Sequence, residues 1–405
     1  MGSPGKRILI IVENLPVPFD KRVWNEANAL TRAGYHVSII SPVGRGSEAR
    51  REIIDGITIY RHPLPHEGDG ALGYFVEYSA ALFWEFTLAV RVFLTSGFDA
   101  IHACNPPDTI FLVGLPFKLL GKKFVFDHHD INPELYVAKF GKQGLLYRMV
   151  RFLERLTFMT ADISIATNES YKEIAVSRGC MDPGKVFIVR SGPNLKKFQP
   201  VAPQEGLKSG RRHLVGYVGV MGKQEGLNYL LDAVRVIVAE RGRKDIHFVI
   251  IGSGTEFDEV RDYAAELGIA PHVQFTGRIP DAELIAYLST CDVCVNPDVA
   301  NEMNDKSTMN KIMEYMALSK PIVQFDLTEG RRSALDASLY ARKNDPVDFA
   351  DKILELLDDP ARRDAMGRFG RERVENCLSW DFSERVLHEA YARLFRTSGQ
   401  TGPLP

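Results

Sequence analysis

The sequence predicts an α/β protein built from two doubly wound, Rossmann-like domains that face each other across a cleft. Near-continuous apolar runs such as Ile8–Asn14 recur along the chain, which is typical of strands buried on both faces of a parallel sheet. Amphipathic helical segments separate these runs, and the alternation favours βαβ units. The pattern restarts after a segment rich in Pro, Gly, Lys and Ser that begins at Ser191, which indicates a linker between two similar halves.

In the first half, a helix and a second strand follow the first apolar run. Val23, Ala27 and Leu30 recur at helical spacing. Gly34 ends this helix, and the second strand lies at Val37–Ile40. Further strands are predicted at Ile57–Arg61, Ala100–Ala103, Phe124–Asp127 and Ile163–Thr167.

The second half predicts five more strands, in LVGYVGV, HFVIIGSG, HVQFTGR, DVCVNPD and PIVQFD. Cys291 and Cys294 fall in the fourth of these, where a strand would point them to opposite faces, so a CxxC metal or redox site is not expected. We predict a first domain over residues 1–195 and a second over residues 196–378. Residues 379–405 are expected to form a C-terminal helix that packs back on the first domain, followed by a tail.

The composition is typical of a globular protein of the reducing cytoplasm, where we expect this chain to be located. Its 405 residues are enough for two to three domains. A net charge of −2 provides no basic field, so we expect no nucleic-acid partner. Five scattered cysteines form no disulfide framework. We expect no signal peptide, because MGSPGKR runs directly into a strand, and no membrane span, because long uncharged apolar runs are absent from the sequence.

A basic amphipathic segment spans Lys139–Met159. Its five cations accompany apolar residues such as Leu145, Met149 and Phe152. A basic amphipathic helix can lie on an anionic membrane surface, so this segment predicts peripheral contact with the inner face of a membrane. A helix with one core face and one solvated face is the alternative.

The most informative stretch is NDKSTMNKIMEYMALSKPIVQFD, which places Glu314 on a short helix between two strand-like runs. Ile312, Met313 and Met316 cluster on one face of that helix and leave Asn310 and Glu314 on the opposite face. Earlier strands end in VGVMG and IIGSG, and glycine-rich turns before helices hold phosphates. A carboxylate accepts the paired hydroxyls of a ribose. The pattern therefore predicts a nucleotide-diphosphate sugar as the ligand.

Six motifs, taken in order, resemble one known family. They are DKRVWNEANALTRAGYHVSII, FDHHDINPEL, ERLTFMTADISIATNES, VIIGSGTEFDEV, VQFTGRIPDAELIAYLSTCDVCVNPD and NKIMEYMALSKPIV. Over residues 6–395 the chain resembles the GT-B-fold glycosyltransferases of the large retaining family four, which includes many bacterial cell-surface and lipid-linked sugar transferases.

The resemblance implies transfer of a sugar from a nucleotide-diphosphate sugar to an acceptor hydroxyl, with retention at the anomeric carbon and the leaving phosphate as the base. It also implies a role in polysaccharide, glycolipid or glycoconjugate biosynthesis. Saccharide, lipid-linked and small-molecule acceptors stay open. A UDP-sugar is the expected donor, on family frequency alone.

The resembling family carries two glutamates, separated by seven residues, that contact the donor. Glu314 matches the second, which grips the ribose. Lys306 stands in place of the first, so Asp305 is an alternative for the sugar contact and Lys306 for a phosphate contact. The Arg and Lys that hold the diphosphate in the family are replaced here by Val220 and Glu225.

Other groups in these segments must therefore neutralise the diphosphate, because loss of the opposing charge weakens transition-state stabilisation. The expected cations are Lys223, Lys306 and Lys311, and the expected free backbone amides are those of Gly222, Ser307 and Thr308. The predicted donor-binding set is Gly219, Gly222, Lys223, Gly252, Gly254, Arg278, Asp305, Lys306, Ser307, Thr308, Asn310, Lys311 and Glu314.

In the first domain the resemblance places a sugar-contacting histidine at His129, and we predict His129 and Asp130 as the catalytic residues. The adjacent His128 points the opposite way in an extended segment. A cap or core contact at the strand end is the alternative role for the pair. The acceptor-side residues are predicted in two loops that follow strands, and they are Pro18, Asp20, Lys21, Asn105 and Asp108. A plain helix cap is the alternative for Asp20.

The sequence contains no Asp-x-Asp pair, which argues against a divalent metal that bridges carboxylates and diphosphate. We predict a reaction that needs no metal and no cofactor other than the donor substrate. Two other functions stay open. A nucleotide-sugar 2-epimerase of this architecture would turn over its donor without an acceptor. A degenerate transferase that acts as a nucleotide-binding partner would bind nucleotide without turnover.

Overall fold

The computed structural model describes residues 5–44, 46–63 and 70–396, without the side chains of residues 70–77. The described chain divides into two compact units. The first unit runs to Ser191 and resumes at Ser383, and the second spans Gly192–Phe382. Each unit is built on one sheet with predominantly parallel strands, so the predicted α/β class with two Rossmann-like sheets is confirmed.

The sheet of the first unit has eight strands. They are β1 Arg7–Ile11, β2 His36–Pro42, β3 Arg51–Ile54, β4 Ile57–His62, β5 Ala100–Cys104, β6 Lys123–His128, β7 Ile163–Ala166 and β8 Val186–Ile188. Their order is β3-β4-β2-β1-β5-β6-β7-β8, and only the β3–β4 pair is antiparallel. The six strands predicted in this half are confirmed with small shifts at their ends. The pattern does not predict β3 and β8, because both are short and bury few side chains.

In the described part of the first unit, six helices connect these strands. They are α1 Lys21–Arg32, α2 Gly70–Thr95, α3 Phe111–Leu119, α4 Asn132–Phe140, α5 Leu145–Thr160 and α6 Glu169–Ser177. The helix α3 packs against both α2 and α5. Within the described ranges, no helix is long and apolar enough to cross a membrane.

The sheet of the second unit has six parallel strands. They are β9 His213–Val218, β10 Ile246–Ile251, β11 Val273–Gly277, β12 Val293–Asn296, β13 Ile322–Phe325 and β14 Ser338–Ala341, in the order β11-β10-β9-β12-β13-β14. The segment predicted as a linker packs on this unit, since Phe198 is buried and its carbonyl accepts a hydrogen bond from Arg371 at 3.1 Å.

The remaining helices are α7 Leu227–Arg235, α8 Phe257–Glu266, α9 Asp281–Thr290, α10 Glu302–Lys306, α11 Asn310–Ala317, α12 Thr328–Ala334, α13 Pro346–Leu357, α14 Pro360–Arg373 and α15 Trp380–Leu394. Cys291 ends α9 and Cys294 lies in β12, so the two are not on opposite faces of one strand as predicted. Both thiols are buried in the same apolar cluster, which explains this CxxC as core packing.

Candidate functional site

The first candidate site lies at the carboxyl end of β6. His128 is fully buried against the rings of Phe158 and Tyr171, whose centroids lie 5.1 Å from its own. His129 points the other way, and its side chain is 14% exposed. Within the described part of the chain, neither the Nδ1 atom of His129 nor the carboxylate of Asp130 has a hydrogen-bond partner. A ligand can therefore use both groups.

Asn105 and Asp108, which we predict on the acceptor side, support this segment from the interior. Asn105 is 1% exposed, and its Oδ1 accepts hydrogen bonds from the backbone of His129 at 2.7 Å and of Asp130 at 3.1 Å. Asp108 accepts from Asn105 at 2.8 Å and from Asn132 at 2.9 Å. Burial raises the pKa of Asp108 to about 7. Both side chains are occupied in holding His129 and Asp130 in place.

Asp127 lies at the centre of a buried charged network that the sequence did not reveal. Its Oδ1 accepts a hydrogen bond from Arg22 at 2.8 Å. Its Oδ2 lies 2.6 Å from the Nε2 of His129 and 3.2 Å from the Nε2 of His102. Glu26 completes the network, with one oxygen 3.1 Å from Arg22 and the other 3.4 Å from His102.

The charges of this network determine where its protons lie. Burial raises the pKa of Asp127, but Arg22 and His129 lower it by more, so that carboxylate is ionised. Burial raises the pKa of Glu26 well above its ordinary value, which favours its neutral form. An ionised carboxylate only accepts hydrogen bonds, so the Nε2 atoms of His129 and His102 both carry hydrogen. In neutral His129 the Nδ1 atom is then an acceptor.

The network continues to helix α15. The hydroxyl of Tyr391 lies 2.8 Å from the Nδ1 of His102, although the two residues are 289 positions apart. Burial raises the pKa of Tyr391 well above its usual range, so its hydroxyl keeps its proton and donates to His102. Hydrogen bonds therefore link Tyr391, through His102 and Asp127, to the ring of His129.

Two groups of potential metal ligands share this network among the residues that the structure describes. They are His102, Cys104 and Asp127, and Glu26, Asp127 and His129. Both groups contain Asp127, whose carboxylate is already bound by the guanidinium of Arg22. Because that cation supplies the opposing charge, these residues fit an ion-paired carboxylate better than a metal centre.

The other predicted acceptor-side residues lie at the start of α1. Asp20 is buried, and its carboxylate accepts a hydrogen bond from the backbone of Val23 at 3.1 Å. Asp20 therefore has the alternative role, a helix cap. Pro18 is half-buried and Lys21 is exposed, and their acceptor-side role stays a prediction.

The second candidate site lies around α11 in the second unit. The helix buries Ile312, Met313 and Met316, leaves Asn310 exposed and leaves Glu314 half-buried, as the spacing predicts. The carboxylate of Glu314 has no hydrogen bond or ion pair with any residue in the described ranges. Burial raises its pKa. A half-buried carboxylate without a partner is costly, so its position favours a ligand with hydroxyl donors.

Lys311, one of the expected diphosphate cations, is held by carboxylates instead. Its Nζ forms ion pairs with Glu225 and, at 3.0 Å, with Asp298. It also lies 4.8 Å from the ring centroid of Tyr217, whose hydroxyl donates to Glu225 at 2.6 Å. Burial lowers the pKa of Lys311, but the two carboxylates raise it by more, so it stays charged. Its charge is already neutralised, so it is not a free cation for a diphosphate.

Asp305, predicted as an alternative for the sugar contact, serves the packing of α12. It accepts hydrogen bonds from the backbone and hydroxyl of Thr328 at 3.1 and 2.7 Å and pairs with Lys343 at 3.1 Å. Burial raises its pKa, but these contacts lower it below its ordinary value. Both of its oxygens are therefore occupied. Lys306 pairs with Glu302 at 2.7 Å along α10.

The glycine-rich turns pack against each other at the carboxyl edge of the second sheet. Gly252 has a φ of +131°, and a Cβ there would overlap the carbonyl oxygen of Gly219. A Cβ at Gly254 would overlap the backbone of Met221. The amide of Gly219 donates to Ile251 at 3.1 Å, within the same pair of turns. Close packing of the turns therefore accounts for these glycines before any ligand is considered.

Two of the expected free amides are used within the protein. The amide of Gly222 donates to Val220 at 3.1 Å, and that of Ser307 donates to Asn304 at 3.3 Å. Lys223 differs, because its exposed side chain lines a cavity of about 320 Å³. The cavity is bounded by Gly222, Lys223, Gly226, Leu227, Asn228, Tyr229, Glu256, Glu259, Val260 and Val299.

Two predicted donor-binding residues, Arg278 and Thr308, and a second cavity do not belong to the cavity beside Lys223. Arg278 is exposed after β11, and Thr308 is half-buried before α11, so their donor-binding roles stay predictions. The larger cavity, of about 470 Å³, lies in the first unit and is lined by Arg7 and His36 at the amino ends of their strands. Ligands of such sheets bind beyond the carboxyl ends, so we place no site there.

Two family models match the chain, one in each unit. Residues 20–192 match a model described as a glycosyl transferase 4-like domain. Residues 212–359 match a model described as glycosyl transferases group 1. Together they cover most of the chain. The chain belongs to the group 1 glycosyltransferase family.

Curated relatives of this group 1 family member are distant. One is D-inositol 3-phosphate glycosyltransferase of Corynebacterium jeikeium (strain K411), with 25% identity over 259 residues, 60% of each chain. Another is 2-deoxystreptamine glucosyltransferase of Streptomyces kanamyceticus, with 27% identity over 241 residues, 58% of this chain and 57% of the relative. The matches thus span about three fifths of the length of these relatives.

Solved structures of other proteins share the fold of this family member. Sucrose-phosphate synthase from Thermosynechococcus elongatus aligns with a TM-score of 0.78 at 20% identity, over 96% of this chain and 99% of that chain. An Anabaena structure in complex with UDP and glucose aligns with a TM-score of 0.70 at 15% identity, over 96% of this chain and all of that chain. At these identities the likeness establishes the fold alone, which is GT-B.

Proposed function

We propose that this protein is a glycosyltransferase that moves a sugar from a nucleotide-diphosphate sugar to an acceptor hydroxyl, with retention of the anomeric configuration. The observation that carries the proposal is Glu314, a half-buried carboxylate with no partner in the described chain, on the predicted face of α11. Its raised pKa reflects burial without donors. Two ribose hydroxyls would supply those donors and favour the ionised form.

The diphosphate is assigned to Lys223. This lysine is exposed beside the turns after β9 and β10, whereas Lys311 is neutralised by Glu225 and Asp298. The family resemblance expects two further cations, which Val220 and Glu225 replace. In this chain we therefore expect nucleotide affinity to depend mainly on the contact of Glu314 with the ribose. The attraction between the diphosphate and protein cations should contribute less than in a protein that has both the Arg and the Lys.

At the sugar, His129 and Asp130 supply the polar groups. Because Asp127 holds the Nε2 hydrogen of His129, the Nδ1 atom is presented as an acceptor for a sugar hydroxyl. The leaving phosphate takes the proton of the acceptor hydroxyl on the same face of the sugar, so no protein nucleophile is required. The protein contributes positioning and electrostatic stabilisation.

We propose UDP as the nucleotide and no metal in the reaction. The Anabaena structure contains UDP and glucose, which supports a uracil donor by analogy of fold only. The lack of an Asp-x-Asp pair in the sequence supports a metal-free reaction. The relatives named above are glycosyltransferases, so they do not support a 2-epimerase.

Calorimetric titration with UDP tests the role of Glu314. Replacing it with Ala removes a charged acceptor worth about 1.5–3 kcal/mol, which raises Kd roughly ten- to a hundredfold. Glu266→Gln, at an exposed position on α8, is the matched control and should leave Kd unchanged. Equal affinity of Glu314→Ala and the parent would refute the assignment.

Turnover on a panel of saccharide and lipid-linked acceptors tests the activity itself. Release of UDP should require an acceptor and should produce a glycoside of retained configuration. Glu225 stands where the family resemblance expects a cation and pairs with Lys311, which favours one second candidate, a nucleotide-binding protein without catalysis. Tight UDP binding without transfer to any acceptor would replace our proposal with that candidate.

A further inference from the structure

Three neighbouring helices of the first unit expose large apolar side chains. The helix α3 lies between α2 and α5, and its Phe117 ring lies 5.4 Å from that of Phe93 on α2. More than half of the exposed large apolar residues among those described belong to these three helices. We call the following six the apolar face: Phe83 and Leu94 of α2, Leu119 of α3, and Leu145, Phe152 and Met159 of α5.

The exposure of this face is unusual in extent. Leu119 is 81% exposed and Leu145 is 82% exposed. Single exposed leucines are common on soluble proteins, but apolar residues concentrated on adjacent helices mark an interaction surface. Leu145, Phe152 and Met159 repeat at helical spacing, so α5 presents a continuous apolar stripe.

Exposed cations accompany the apolar face. Arg148, Arg151 and Arg155 are exposed along α5. The one acidic residue of α5, Glu154, is fully buried and accepts a hydrogen bond from Arg178 at 2.7 Å. The exposed charges of α5 are therefore all positive. Such a surface complements an anionic partner.

We propose that the apolar face docks on a lipid bilayer with anionic head groups. The apolar side chains enter the boundary between head groups and acyl chains, and the three arginines contact the head groups. A second copy of this chain is a poor occupant, because docking two such faces would bring like-charged arginine rows together. The net charge of −2 does not oppose docking, because charges act within about one Debye length, roughly 8 Å at physiological salt.

The proposal stands independently of glycosyl transfer, because vesicle binding is measured without donor or acceptor. If the proposed activity also holds, docking delivers the enzyme to acceptors carried by lipids. The two proposals can fail separately, because vesicle binding tests the docking and UDP titration, which does not require vesicles, tests the proposed function.

Co-sedimentation with vesicles tests the docking. Vesicles of equal parts phosphatidylglycerol and phosphatidylcholine are compared with pure phosphatidylcholine, at low ionic strength and at high salt. We expect binding to the anionic vesicles at low salt and a steep fall as salt rises. Equally weak binding to both vesicles at low salt would overturn the proposal.

Two variants separate the charged and apolar contributions. Arg148→Gln/Arg151→Gln/Arg155→Gln should weaken binding to anionic vesicles roughly a hundredfold, at about fivefold for each cation. Leu119→Ser/Leu145→Ser/Phe152→Ser should weaken binding at every salt concentration. The matched control, Lys244→Gln/Arg342→Gln/Arg368→Gln, removes three exposed cations of the second unit and should bind like the parent. An equal loss in the control would show unspecific attraction and overturn the assignment of the face.

Sedimentation velocity without vesicles tests the other occupant. The parent and the variant Leu119→Ser/Leu145→Ser/Phe152→Ser should sediment as the same species. A parent dimer that the variant abolishes would show that a second copy covers the face, and this would overturn membrane docking.

Discussion

Replacement of Glu85 by Gln is expected to remove a pH-dependent loss of stability from the first unit. Glu85 is fully buried on α2, and neither of its carboxyl oxygens has a hydrogen-bond partner in the described chain. Burial, with a smaller contribution from Glu13, raises its pKa to about 8. The folded state therefore binds this proton more tightly than the unfolded chain. The resulting stabilisation is complete below about pH 4.5 and is lost as the pH rises through about 8.

The size of the effect follows from the two pKa values. At about 1.4 kcal/mol for each unit of pKa, the free energy of unfolding should fall by about 3 kcal/mol between pH 6 and pH 9 on account of Glu85. Glutamine keeps the size of the side chain and does not titrate. The difference in stability between variant and parent should therefore grow by about 3 kcal/mol over this range in favour of the variant.

Urea denaturation at each pH, followed by tryptophan fluorescence, measures this difference. Two of the three tryptophans, Trp24 and Trp84, lie on helices of the first unit. Glu173→Gln, at an exposed position on α6, controls for the loss of one carboxylate. A constant difference between Glu85→Gln and the parent from pH 6 to pH 9 would refute the reasoning, because it would show that burial does not hold the proton on Glu85.

Two predictions concern the proposed reaction. Long-range ¹H–¹⁵N spectra should show the hydrogen of neutral His129 on Nε2, and Asp127→Asn should disturb this preference and lower kcat. Hydrogen on Nδ1 in the parent would contradict the role of Asp127, even if the variant fails to fold. Transfer should continue at an unchanged rate in EDTA, because Lys223 supplies the positive charge that a metal would supply. Loss of activity in EDTA that magnesium or manganese restores would contradict the metal-free reaction.

The sequence by itself determined the elements whose signal is local. Alternation along an extended segment is enough to separate His129 from His128, and in the structure His128 is fully buried whereas His129 points the other way and is half-buried. Helical spacing is enough to place Glu314 opposite Ile312 and Met316. Each of these inferences depends on neighbours within one or two turns of chain, whose relative directions are set by backbone geometry.

Only the tertiary structure decided which charged groups are left for a ligand. Lys311 meets Glu225 from 86 positions away, and Asp305 meets Thr328 from 23 positions away, so both predicted donor-binding side chains are already engaged within the protein. The network around Asp127 likewise draws on segments that are remote in sequence. An ion pair depends on the distance and burial of two side chains in space, which folding sets through long-range packing. The spacing of the two residues along the chain does not determine their distance in space.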